Sequence, residues 1–98
     1  MIVKISISPK KNKKFRAIMD DGTFYDFGLK GSNTYLDHHD EVKRDNYKNR
    51  HLSNPKENYN IKNIIMSPAL LSFYLLWGPY TNLKQNTIYL NELLKHQL

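Results

Sequence analysis

The order of patterns along the chain, strand-like segments first and helical segments after them, predicts an α+β fold. The expected architecture is a three-stranded antiparallel meander over residues 2–27, followed by three helices over 38–52, 68–77 and 83–96 packed on the sheet. Three observations carry this expectation: the alternating run "IVKISIS" at the start, the Asp21-Gly22 pair between two further strand-like runs, and the Ser67-Pro68 start signal ahead of a leucine-rich stretch. With 98 residues, the chain is expected to be one small globular domain spanning 1–98, with a core near the lower end of what folds without disulfides or metals.

Taken in order, the first element places Val3, Ile5 and Ile7 on one face of a half-buried strand. The run "PKKNKK" then reads as a solvated turn. In "KFRAIMDDGTFYDFG", Asp21-Gly22 predicts a two-residue hairpin turn, because glycine accepts the positive φ that a type I′ turn demands. That turn would set Met19 opposite Phe24, Ile18 opposite Tyr25 and Arg16 opposite Phe27, with Phe15, Ala17, Met19 and Phe24 on a shared face.

After the loop "GLKGSNT", Asp37 is the expected cap of the 38–52 helix, with Asp40 and Glu41 in its first turn, where the helix dipole favours acids. Pro55 disfavours helical geometry at Asn54, so "SNPKENYN" reads as the end of that helix. Ser67 offers a capping oxygen and Pro68 suits the first helical position. Gly78-Pro79 then stops the helix after Trp77. In the last helix Leu83, Leu90 and Leu94 lie along one side, broadened by Ile88 and Leu93.

Composition excludes several classes of function. There is no cysteine, which removes disulfides, zinc ribbons and thiol nucleophiles. The segment "MIVKISISPKK" has neither the charged start nor the long apolar stretch of a signal peptide. "ALLSFYLLW", nine residues long, is the most apolar run, and a bilayer needs roughly 20. No membrane span is therefore expected. Twelve of the fifteen basic residues are lysine, and asparagine and isoleucine are frequent, as the codons of an AT-rich genome favour.

The net charge of +6 is unevenly placed. Residues 1–34 hold seven basic and three acidic side chains, residues 35–60 five of each, and residues 61–98 three and one. The basic excess sits in "PKKNKKFR", so Lys10, Lys11, Lys13, Lys14 and Arg16 are the candidate phosphate contacts, and DNA or RNA is the alternative partner.

Residues 37–51, "DHHDEVKRDNYKNRH", pack three histidines, four carboxylates and four basic residues into fifteen positions. As a metal site the stretch is poorly spaced: His38 and His51 lie thirteen positions apart, roughly 20 Å along a helix, and neighbouring His38 and His39 diverge. Asp40, Arg44, Tyr47 and His51 fall on one helical stripe, but no nucleophile, second carboxylate pair or glycine-rich phosphate loop completes a catalytic set. We therefore expect no enzyme activity and no cofactor. A stripe of mixed charge with tyrosine and arginine has the composition of a polar protein interface, and its expected anchors are Arg44, Tyr47, Arg50 and His51.

The succession "KKFRAIMDDGTFYDFG", "DHHDEVKRDNYKNRH" and "SPALLSFYLLWGPYTNLKQN" resembles a family of small uncharacterised proteins encoded by nucleocytoplasmic large DNA viruses. The shared features fall on Lys13 and Lys14, Asp21-Gly22, Phe27-Gly28, the His39, Arg44, Tyr47, Arg50 and His51 spacing, and Leu76-Trp77. They span about residues 13 to 90. One departure is "IIMSPALLSFY", which stands where the family places small and aromatic residues. The resemblance implies a viral origin and supplies no activity. It implies a place in the virion and in the host cytoplasm during infection, either as a minor capsid component touching other virion proteins or as a protein associated with the viral genome. The near-balanced charge of residues 37–51 favours the first.

Overall fold

The computed structural model describes residues 1–96. Strands β1 (Ile2–Ile7), β2 (Lys13–Met19) and β3 (Phe24–Leu29) form an antiparallel sheet in that order, as the meander required. Five helical segments follow: α1 (Tyr35–His38), α2 (Glu41–Leu52), α3 (Pro55–Lys62), α4 (Pro68–Leu71) with a π-helical continuation over Ser72–Leu76, and α5 (Leu83–Lys95). No helix among the described residues is long and apolar enough to cross a membrane.

The β2–β3 register differs from expectation by one residue. Ile18 faces Phe24, Ala17 faces Tyr25 and Phe15 faces Phe27. The cause is a three-residue loop in place of a two-residue one. The Gly22 amide donates to the Met19 carbonyl at 3.1 Å, and Gly22 has φ +88° while Asp21 stays out of the positive region. This is a type I turn closed by a left-handed glycine. Asp21 selects it, because its carboxylate accepts from both the amide (3.0 Å) and the hydroxyl (2.6 Å) of Thr23 two residues on. A one-residue slip moves every side chain of β3 to the opposite face. Phe24 therefore lies half exposed on the outer face under the Arg16 guanidinium, 3.8 Å from the ring centroid, and Phe27 takes the inner position.

β1 departs in the same way. Its pairing jumps from Ile2↔Met19 to Lys4↔Ile18, which leaves Val3 as the extra residue of a bulge. Ile2 is buried and Ile5 packs against the core, while Val3 and Ile7 are exposed. The Asn91 side chain on α5 pairs with both backbone groups of Ile2 at 2.9 Å, closing that stretch of sheet edge.

The helices cover one sheet face. Ala17 and Phe27 meet Leu70, Leu71, Leu75, Leu76 and Leu90 there, all essentially inaccessible. Ile88, expected on the apolar side of α5, is exposed. The outer face carries a polar network instead: Asp26 accepts from Arg16 at 3.0 and 3.1 Å and from the Ser8 hydroxyl at 2.7 Å.

The helix boundaries correct three expectations. Asp37 does not cap the long helix; it lies inside α1 and accepts from the Thr34 amide at 2.8 Å. His39, at φ +55°, separates α1 from α2, and Asp40 caps α2 through the amides of Val42 and Lys43. "NPKENYN" is not a helix end alone. Asn54 caps α3 and Pro55 occupies its first turn, the same start signal as Ser67-Pro68. The 68–77 helix widens after Leu71, so that the Trp77 amide reaches the Ser72 carbonyl five residues back at 3.2 Å.

Arg16 and Ser8 hold the Asp26 carboxyl down at about 2, against an ordinary 3.8. Its ionised form stabilises the fold above the ordinary carboxylate range, and that stability is lost as pH falls through about 2. Urea melts between these limits will show the wild type weakening steeply with acid and Asp26→Asn weakening less over the same range. Parallel acid limbs would contradict the assignment.

Candidate functional site

α2 is polar along its length and buries no residue completely. It is attached through one stripe, Arg44, Tyr47, Lys48 and His51, which is partly shielded. Tyr47 is the centre of that attachment. Its ring lies 4.2 Å from Trp77, at 8° to it, and 4.0 Å from His51. Trp77 is in turn flanked by His38 at 5.3 Å. Four rings from α1, α2 and the end of the π-helical turn thus form one continuous cluster, with Tyr47 and Trp77 parallel and the two imidazoles tilted against them. Offset stacking at such spacings is worth about 1 kcal/mol per pair beyond the area buried.

The turn that carries Trp77 is fixed from the opposite side by Asn86. This asparagine is fully buried on α5; its Nδ2 donates to the carbonyls of Leu75 (3.0 Å) and Tyr80 (2.8 Å), and its Oδ1 accepts from the Tyr80 amide (3.0 Å). Gly78 makes the approach possible, since a Cβ there would lie 2.0 Å from the Tyr74 carbonyl oxygen and 2.9 Å from Asn86 Oδ1.

Between this stack and the end of the sheet lies a cleft of about 460 Å³, lined by Lys13 and Gly28 from the sheet, Asn33 from the following loop, Arg50 and His51 from α2, and Trp77. Tyr47 and Glu57 also reach it. The Glu57 carboxylate on α3 engages His51 Nδ1, fixing the ring. Burial pushes the Tyr47 phenol up to about 12, and the charge of Glu57 acts in the same direction. A smaller recess of about 350 Å³ adjoins the cleft; it shares Asn33, Arg50 and Trp77 and adds His38, Lys43 and Asn46. A groove of about 520 Å³ between β1 and α5 is lined chiefly by aliphatic side chains with Lys4 and Lys84, away from these residues.

Of the four expected anchors, Tyr47, Arg50 and His51 meet in the cleft and Arg44 does not. Its guanidinium lies over the Tyr35 ring at 4.8 Å and donates to Asp45 at 3.3 Å, while Asp40, placed on the same stripe by its spacing, caps α2. Arg50 is exposed, its guanidinium 5.8 Å from the Tyr47 ring. Among the described residues no three His, Asp or Glu side chains gather closely enough to hold a metal. The five basic residues of the lysine turn are partly consumed: Lys10 and Arg16 share Asp26, and Lys14 lies 3.5 Å from Asp37 and donates to the Ser32 carbonyl at 2.8 Å. Lys11 and Lys13 have no carboxylate partner among the described residues. Sequence reasoning missed Glu57, placed in an unrecognised helix, and Asn86, an asparagine that nothing in a leucine-patterned helix marks as buried.

A family model described as a family of unknown function, DUF5754, matches residues 3–51, half of the chain. The chain belongs to that family. No curated protein and no solved structure matches it. The DUF5754 match runs from β1 through His51, so it takes in Tyr47, Arg50 and His51, whereas their structural partners Glu57 and Trp77 lie beyond it.

The phenolate absorbance of the seven tyrosines gives a direct check on the stack. Tyr47→Phe will remove amplitude from the late step near 12 and leave the earlier steps in place. Loss of amplitude from the earlier steps instead would mean that the Tyr47 ring is open to water.

Proposed function

We propose that this protein is a non-enzymatic virion component, a minor capsid protein that docks other virion proteins through the cleft between α2 and Trp77. The observation that carries this reading is the convergence of Tyr47, Arg50 and His51 with Trp77 on one concave, partly polar surface. Aromatic and arginine side chains held rigidly around a cleft are the composition of an interface centre. They are pre-organised here by stacking and by the His51–Glu57 contact, so binding need not order them again.

Two further observations support the choice. Among the described residues His51 Nε2 hydrogen-bonds no hydroxyl that would serve as a nucleophile, so the His51–Glu57 pair stands as an orienting contact. The lysine turn, the basis of the genome-binding alternative, spends Lys10, Lys14 and Arg16 on internal carboxylates. Placement in the virion, with synthesis in the host cytoplasm, rests on the resemblance to proteins of large DNA viruses and on the lysine, asparagine and isoleucine bias.

Cross-linking mass spectrometry on purified particles tests the reading. The expected result is that the chain is present and that Lys13 in the cleft and Lys43 in the adjoining recess cross-link to another virion protein. Arg50→Glu, at an exposed position, will reduce incorporation without altering far-UV circular dichroism. Finding the chain in infected-cell extract and not in particles would overturn the proposal.

A further inference from the structure

The cleft and its adjoining recess are open at Arg50, which lines both. Their charged groups are unequal in a way that net charge along the sequence conceals. Glu57, held by His51, is the one carboxylate that lines the cleft, and none lines the recess. Lys13, Lys43 and Arg50 have no carboxylate partner among the described residues. The lining of the two thus carries three basic side chains against one acidic, and the site is cationic although residues 35–60 are formally neutral.

The hydrogen-bonding groups lean the same way. His38 Nδ1 accepts from the Asp40 amide at 3.0 Å, which places the ring proton on Nε2. That N–H is buried in the wall of the recess with no acceptor among the described residues. Asn33 and Asn46 add amide donors, and the edges of the stacked rings present the positive part of their quadrupoles. Tyr47 and Trp77 lie parallel with their facing sides against each other, and His51 and His38 are tilted against them, so the parallel pair offers no gap for a nucleobase between its rings.

We infer that the occupant of this double site is an acidic segment of a protein, which sets one carboxylate against Arg50 and Lys13 in the cleft and a second against Lys43 in the recess. The inference rests on the docking reading and names its partner chemistry. Two carboxylates on neighbouring residues of an extended chain point to alternate sides, which suits two recesses that meet at a single arginine. Guanidinium–carboxylate contacts here are charge-assisted and shielded on one side by the ring stack.

Fluorescence anisotropy of the full chain with fluorescein-labelled hexaglutamate at low salt is the test. Wild-type protein will bind saturably. Arg50→Glu and Lys43→Glu will each weaken binding about tenfold, the loss of one charge-assisted contact. Lys84→Glu, an identical charge change on the β1–α5 groove, will leave it nearly unchanged. Equal losses for all three variants would overturn the inference, because binding would then follow net charge alone. A labelled hexathymidylate that binds as tightly as hexaglutamate and with the same dependence on Arg50 would also overturn it, in favour of phosphate. If Arg50→Glu leaves hexaglutamate binding intact while still reducing incorporation into particles, the acidic partner falls and the docking reading stands.

Discussion

The side-chain amide of Asn86 is the contact on which the rest of this structure depends. A buried asparagine is costly unless its donors and acceptor are all used, and here the amide is saturated by Leu75 and Tyr80. These bonds do what the helix ladder cannot do at this point. The π-helical turn ends at Leu76, Gly78-Pro79 cannot continue it, and the freed backbone groups on either side are gathered by one side chain from α5. Each unpaired backbone group left behind without Asn86 would cost about 1–3 kcal/mol.

From that clamp the site follows by contact. The turn places Trp77, Trp77 gives Tyr47 a flat surface, and Tyr47 attaches a helix that has no fully buried residue of its own. α2 is thus held by aromatic stacking and by the His51–Glu57 contact more than by an aliphatic stripe, which leaves its charged groups free to define a cleft. The same segment meets the sheet through Leu76, whose Cδ1 lies 3.0 Å from where a Cβ on Gly28 would stand. The glycine at the end of β3 lets the helical layer sit close enough to shape the cleft floor.

Much of this was legible in the sequence, and the failures have physical causes. Strand order, the hairpin at Asp21-Gly22 and the Ser67-Pro68 start signal follow from local chemistry, which sequence expresses directly. The hairpin register slipped because Asp21 can bond to Thr23, and that preference outweighed the Asp-Gly signal for a shorter loop. The α3 helix was hidden because Asn-Pro can end one helix and begin another. The stripe of Arg44, Tyr47 and His51 was visible from its spacing. What it packs against was not, since Glu57 and Trp77 are brought to it by tertiary structure. Asn86 had no local signature, because its role is set by an opening in another helix.

Asn86, which does not line the cleft, thus determines whether the cleft exists. The chain has a single tryptophan, so the emission of Trp77 reports on the stack without ambiguity. The measurement is the emission maximum and acrylamide quenching of Trp77 in Asn86→Ala, under conditions where far-UV circular dichroism shows the variant folded. A red shift and increased quenching relative to wild type are expected, because a released turn exposes the indole and separates it from Tyr47. Unchanged emission and quenching in the folded variant would show that the aromatic stack stands by itself and would contradict the dependence described here.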